Sequence, residues 1–168
     1  MTVHGGENMN ISQEGITLIK HYEGCPKDKD GNAVSYRCAA NKATIGYGSL
    51  KLIDGSPVQD NMSISMQEAE DLLAHELIEY EGYINDMVDV QLSQNQFDAL
   101  VSWVFNLGPN NLRSSTLLKV LNSTHVDWAD IPYQIQRWNK VNGKVSEGLV
   151  KRRKSEALLF EGKDWTDI

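Results

Sequence analysis

The chain of 168 residues has no long hydrophobic run. Nothing in it approaches the roughly 20 apolar residues that a membrane-crossing helix needs. Its first ten residues, MTVHGGENMN, lack a basic start followed by an apolar stretch, so no secretory signal is read there and no membrane anchor is expected. Two cysteines, Cys25 and Cys38, are too few for a disulfide scaffold. These absences predict a soluble protein made in a cytoplasm, which needs another agent to release it if it acts elsewhere.

Basic residues are missing from one stretch. From Asp54 to Asp98 there are eleven acidic residues and no Lys or Arg. Over the whole chain 16 basic residues face 23 acidic ones, a net charge of -7, which argues against a nucleic-acid partner. Positive charge gathers instead between Arg137 and Lys154, with seven basic residues and one acidic one, Glu147. A solvated acidic helix and a basic helix end account for this pattern. The sharper alternative is that the basic segment faces an anionic substrate or a catalytic carboxylate.

What is present reads as ordinary globular protein, with 40% hydrophobic and 23% charged residues. There is no repeat, low-complexity stretch or long linker. Residues 1–11 read as an N-terminal arm and 12–168 as a single domain. Ser12 can cap a first helix carrying Ile16, Ile19 and Glu23, which Gly24, Cys25 and Pro26 then stop. Glycine-punctuated runs between 25 and 64 predict a small irregular sheet, with Lys27–Asn32 (KDKDGN) as a polar turn. Ser65-Met66-Gln67-Glu68 and Ser93-Gln94-Asn95-Gln96 are both spaced as capping boxes. The first opens a long acidic helix to about Asp86 that offers Leu72, Leu73, Leu77 and Ile84 for burial. The second opens a helix with an apolar stripe of Phe97, Leu100, Val101, Val104 and Phe105. Further helices are expected near 114–122, 127–139 and 147–160. One helix, a small sheet and a helical remainder make an α+β fold, with a sheet lobe at about 25–64 and a helical lobe from 12–24 and 65–165.

Two places could carry chemistry. Glu23 ends the first helix at the edge of the sheet region. Acidic residues are disfavoured at a helix C-terminus, so the placement hints at another use, although an exposed helix-end Glu fits it too. A carboxyl half-buried there suits a general acid, because burial disfavours its charged form. Thr44-Ile45-Gly46-Tyr47-Gly48 is more specific. Its two glycines allow a backbone or ligand to approach closely, and the Thr hydroxyl can hold a water.

Glu23-Gly24, Cys38 and Thr44-Ile45-Gly46-Tyr47-Gly48 together resemble the active-site region of the phage-type lysozymes, glycoside hydrolase family 24. The family pattern is a Glu, then an Asp or Cys, then five residues and a Thr; Cys38 and Thr44 stand at that separation. The interval from Glu23 to Cys38 is longer than in the family by about the length of the KDKDGN turn, where extra loop costs little. The resemblance continues through Asn95–Leu100, Phe105–Gly108, Arg113–Leu117, Trp138 and Gly148–Glu156.

That resemblance implies a lysozyme-like fold with a cleft between the lobes, and an endolysin that hydrolyses the β-1,4 bond between N-acetylmuramic acid and N-acetylglucosamine. Glu23 would be the acid. Cys38 and Thr44 would position water or stabilise charge on the sugar's other face, and Arg152, or its neighbour Arg153, would support Glu23. The expected partner is bacterial peptidoglycan, met by a monomer whose release from the host cytoplasm to the periplasm and cell wall depends on a holin. No cofactor or metal is implied. Some relatives with a Glu-Gly-Cys arrangement are held inactive by a disulfide; whether Cys25 pairs with Cys38 stays open. So do three alternatives: a lytic transglycosylase acting on the same bond, a non-catalytic peptidoglycan-binding relative, and a thiol peptidase using Cys38 with His21.

Overall fold

The computed structural model describes residues 8–168, so the first seven residues of the expected N-terminal arm lie outside the described residues. The elements are α1 (Gln13–Glu23), β1 (Ala33–Val34), β2 (Tyr36–Arg37), β3 (Ala43–Thr44), β4 (Ser63–Ile64), α2 (Met66–Met87), α3 (Gln94–Leu107), α4 (Pro109–Ser114) and α5 (Thr116–Leu121). A 3-10 turn (Trp128–Asp130), α6 (Ile131–Gln136), β5 (Lys140–Val141), β6 (Lys144–Val145) and α7 (Glu147–Phe160) follow. The fold is α+β, as expected. Among the described residues no helix is long and apolar enough to cross a membrane. The chain divides into two compact units, Ile19–Ile78 and a second made from the described residues up to Leu18 together with Glu79–Ile168. Both divisions fall inside helices, α1 and α2.

The sheet unit, Ile19–Ile78, is built from pairs of very short antiparallel strands. β1 pairs with β4, Ala33 opposite Ile64, and β2 pairs with β3, Tyr36 opposite Thr44. Strands of two residues hold few ladder bonds, so turns carry much of the order. In the KDKDGN turn the Asp28 carboxylate accepts the amides of Asp30 and Asn32 at 2.9 and 3.0 Å, a local bond that replaces a ladder. The capping box at the start of α2 forms as its spacing requires: Glu68 N–H donates to Ser65 Oγ at 3.0 Å and Ser65 N–H to Glu68 Oε1 at 3.1 Å. Ile19, Ala33, Ile45, Leu72, Leu73 and Leu77 are buried in this unit.

In the other, helical unit, α3 is the central element. Its Ser93–Gln96 capping box is complete. Phe97, Leu100, Val101 and Val104 are buried, while Phe105 is half-buried with its ring edge-on to Tyr80 at 5.0 Å. Asp98 and Ser102 are also buried, so α3 is enclosed all round from Phe97 to Val104, and α7 packs against it.

The helix expected at 114–122 is α5, and an unexpected short helix precedes it: Gly108, at φ 88, ends α3, and Pro109 starts α4, where a missing N–H costs nothing. Ser115 then caps α5 by accepting Leu118 N–H at 3.0 Å. The helix expected at 127–139 is shorter, the 3-10 turn plus α6. After it, Asn142 and Gly143, at φ 50 and 81, make the tight turn of a β5–β6 hairpin that periodicity did not foretell.

Ser12 does not act as the expected cap. Its hydroxyl and its amide both donate to the Asp98 carboxylate, the amide at 2.9 Å. Ile11 N–H donates to Glu81 at 2.6 Å, and Met9 exchanges two bonds of 2.9 Å with the Asn85 side chain. Residues 9–12 are thus strapped down by side chains of α2 and α3.

Candidate active site

Glu23 is the last residue of α1. Gly24, at φ 67, turns the chain away at once, with its N–H donating to the Lys20 carbonyl at 3.0 Å. The half-buried Glu23 carboxyl therefore stands at the helix end. Its Oε1 lies 3.6 Å from where a side chain at Gly48 would begin, and Gly48 is at φ +100. Glycine serves both needs here: a positive φ and room for a carboxylate against the backbone.

Cys38 follows β2 and Thr44 ends β3, so the β2–β3 pairing brings them together. Thr44 is only 2% exposed, and its hydroxyl donates to the Lys42 carbonyl at 2.8 Å. The Cys38 thiol is held below its ordinary pKa, first by a hydrogen bond with the Thr44 hydroxyl and then by the backbone at Lys42. A threonine hydroxyl has one proton. It serves the Lys42 carbonyl while the thiol is protonated, and turning toward sulfur stabilises the thiolate.

Tyr36, half-buried opposite Thr44, reports how closely these groups gather. Its phenol is pushed up by burial and then by the charges of Glu23, Cys25 and Cys38. Cys25 lies with its Sγ 3.9 Å from the Met66 Sδ, and burial pushes its thiol up. Both cysteines are free thiols. The sheet unit thus brings together Glu23, Cys38 and Thr44, and adds Tyr36, whose place opposite Thr44 follows from strand register rather than from any motif.

Arg152 belongs to the helical unit and is not part of a solvated basic face. It is 3% exposed; its Nε donates to Glu156 at 3.2 Å and its Nη2 to the Ser102 carbonyl at 3.2 Å. Arg153 is fully buried, ion-paired with Glu156 at 2.8 Å and donating to Asn106 Oδ1 at 2.7 Å. Ser102 Oγ donates to Glu156 at 2.5 Å. Lys151 and Lys154 on the same helix are exposed. The helical unit also holds a pocket of about 420 Å³ lined by Ser114, Thr116, Arg137, Trp138, Asn139 and Lys140. The Trp138 ring is fixed edge-on against buried Trp103 at 5.4 Å. Its wall mixes hydroxyls, an amide and two cations with the apolar surface of Trp138 and Leu107. His21 is exposed, edge-on to Tyr22 at 4.8 Å. Among the described residues no group of three or more His, Cys, Asp or Glu side chains could hold a metal ion.

The sequence pattern of the Phage lysozyme family matches residues 20–156. The endolysin of Bacillus phage B103 is 41% identical over 154 residues, covering 90% of this chain and 54% of that protein. The endolysin of Acyrthosiphon pisum secondary endosymbiont phage 1 is 37% identical, covering 91% of this chain and 99% of that one. Among solved structures, the endolysin from Escherichia coli O157:H7 phage FAHEc1 superposes with a TM-score of 0.81 at 34% identity, over 92% of this chain and 94% of that chain. This chain spans about half the length of the Bacillus phage relatives it matches.

Proposed function

Because the chain belongs to the phage lysozyme family, we propose that it is an endolysin that hydrolyses the β-1,4 bond between N-acetylmuramic acid and N-acetylglucosamine in bacterial peptidoglycan. The observation that supports this reading most directly is the gathering, in one small unit, of a half-buried carboxyl at a helix end and a thiol–hydroxyl pair. Glu23 donates its proton to the glycosidic oxygen as the bond breaks. A water, held by Thr44 and Cys38, adds to the sugar carbon and loses its proton in turn. The lowered pKa of Cys38 favours the thiolate, the form of this side chain that can accept that proton. Many members of the family that the chain resembles carry Asp at this position; a thiol is the poorer base until it ionises, which the lowered pKa of Cys38 favours. In this reading Arg152, or its neighbour Arg153, supports the acid. The pocket beside Trp138 offers a further contact for glycan or peptide. Passage from host cytoplasm to the wall through a holin, and action as a monomer, belong to the same reading.

The test is clearing of purified cell walls, with analysis of the ends produced. Glu23→Gln should lose about 10²–10⁴-fold in rate, the usual worth of general acid catalysis, with its fold intact. A folded Glu23→Gln protein of near-normal activity overturns the reading. Reducing ends identify hydrolysis, and anhydro ends identify a transglycosylase. Arg152→Lys should move the acidic limb of the pH–activity profile; an unmoved limb, with Arg153→Lys moving it, transfers the supporting role to the neighbour.

A further inference from the structure

A second cluster in the sheet unit has no place in the chemistry above. Tyr47 stands between Gly46 and Gly48 and is 8% exposed. Its ring lies beneath the Lys20 ammonium, 5.6 Å from Nζ, and its hydroxyl is 3.5 Å from Glu70 Oε1. Lys20 and Glu70 are themselves ion-paired. The three residues come from three elements: Lys20 from α1, one turn before Glu23; Tyr47 from the turn after β3; and Glu70 from the first turns of α2. Burial and the neighbouring Glu70 carboxylate push the Tyr47 phenol up to about 12, so it stays a neutral donor at any working pH.

The turn that Tyr47 belongs to is tight. Ile45 and Ser49 exchange two backbone bonds of 2.9 Å around it, and a side chain at Gly46 would begin 3.5 Å from Ala69 Cβ on α2. Glycines at φ 65 and 100 flank Tyr47. Such residues give a turn its shape but add no side chain to hold it in place. The Tyr47 side chain supplies that hold. It reaches into the Lys20–Glu70 pair and fixes the peptide that leads into Gly48, the residue against which the Glu23 carboxyl rests.

We propose that Tyr47, clamped by Lys20 and Glu70, is a positioning residue that sets the Gly48 turn against the Glu23 carboxyl and so orients the acid. The inference rests on Glu23 being the acid. Lys20 and Glu23 lie three positions apart on one helix, so a pull on Lys20 by Glu70 also orients the helix end that carries the acid. The ammonium over the Tyr47 ring ties the same helix end to the turn, through the attraction of a cation for an aromatic face. Placement of this kind governs the chemical step more than substrate capture, because a shift of about 1 Å in a catalytic group can cost on the order of 10²-fold in rate.

The experiment measures kcat and KM separately on soluble peptidoglycan fragments, with folding followed by circular dichroism. The variants are Tyr47→Leu, Tyr47→Phe, Lys20→Glu, Glu70→Lys and the double Lys20→Glu/Glu70→Lys, with Glu23→Gln alongside. Tyr47→Leu should lower kcat by roughly 10- to 100-fold with KM little changed, a partial loss of alignment. Tyr47→Phe keeps the ring under Lys20 and loses only a long hydrogen bond, so it should retain most of the rate. Each charge reversal should lower kcat, and the double reversal should restore much of it by rebuilding the pair. Well-folded Tyr47→Leu with wild-type kcat, or a double reversal no better than the worse single, overturns the proposal. If Tyr47→Leu does not fold, the charge-reversal set decides alone. A dead Glu23→Gln beside fully active clamp variants removes the positioning role and leaves the acid. An active Glu23→Gln removes the acid itself.

Discussion

Each unit of this protein contains an arginine–carboxylate cluster, and the two are built on opposite terms. In the sheet unit Arg37 grips Asp60 with two bonds, Nε to Oδ1 at 3.0 Å and Nη2 to Oδ2 at 2.5 Å, yet both side chains are about half exposed, at 50% and 53%. In the helical unit Arg152, Arg153 and Glu156 are almost wholly enclosed, between 0% and 3% exposed, with Ser102 and Asn106 completing their bonds. Water screens the first pair and leaves it little net worth. The second has no water to fall back on, so each group depends on the others. The lesson is that fork geometry alone does not measure a salt bridge; its surroundings do. The same division runs through the rest of the molecule. The helical unit encloses charge to fix one packing of α3 against α7. The sheet unit leaves its charged groups within reach of solvent, where they can meet a substrate.

The largest test of this contrast removes one carboxylate from each cluster. Glu156→Gln should cost about 3–5 kcal/mol, because it leaves buried guanidinium groups short of a counter-charge. Asp60→Asn should cost about 0–1 kcal/mol. Denaturant titration at neutral pH reads both, and similar losses at the two positions would end the distinction. A smaller effect comes from packing. A side chain at Gly15 in α1 would begin 2.7 Å from Ile11 Cγ1 and 2.8 Å from Asp98 Cβ, whereas at Gly82 in α2 nothing lies within 4 Å. Gly15→Ala should destabilise by about 1–3 kcal/mol through overpacking, less what alanine gains in a helix. Gly82→Ala should stabilise by roughly 0.5–1 kcal/mol, since only helix propensity changes. Melting temperatures that move in the same direction for both would contradict this geometry.

The smallest effect is chemical and sharpens the picture of the sheet unit from within. Its hydrogen bond with Thr44 holds Cys38 below the ordinary thiol pKa, and burial holds Cys25 above it. A lower pKa means that the thiolate, the reactive form, is present at lower pH. Alkylation of Cys38 should therefore rise with pH before that of Cys25, and Thr44→Val should shift the Cys38 curve upward while leaving Cys25 unchanged. Peptide mass mapping across a pH series distinguishes the two sites. Coincident curves would remove the Thr44 hydrogen bond from the account.

Much of this was legible in the sequence wherever a local rule decided the outcome. The two capping boxes fixed the starts of α2 and α3, Gly24-Pro26 fixed the end of α1, and the interval from Cys38 to Thr44 fits the two arms of one short hairpin. Other features depended on contacts between distant residues. Ser12 carries the right chemistry for a cap, but Asp98, itself buried, takes its hydroxyl and amide instead. Charge pattern alone left the basic segment either as a solvated helix end or as facing a carboxylate, and only the packing of α7 on α3 shows that Arg152 and Arg153 are buried while Lys151 and Lys154 are exposed. Pro109, at a first helical position, is a start signal for α4, and Asn142-Gly143 is a hairpin signal; helical periodicity uses neither. Lys20, Tyr47 and Glu70 could not have been joined from sequence, because no spacing rule relates residues from a helix, a turn and a second helix.

The strap at residues 9–12 has a consequence in time as well as in space. Its bond from Ser12 to Asp98 spans 86 positions and that from Ile11 to Glu81 spans 70. Closing a flexible loop of that length costs on the order of 4 kcal/mol of chain entropy. The intervening sheet unit must be compact, or nearly so, before the ends come close enough for four residues to make up that cost. The strap is therefore expected to open at a lower free energy than either core. Amides of Ile11 and Ser12 should exchange with solvent at a smaller opening free energy than those in the middle of α3. Equal protection at the two places would mean that the strap and the core open as one.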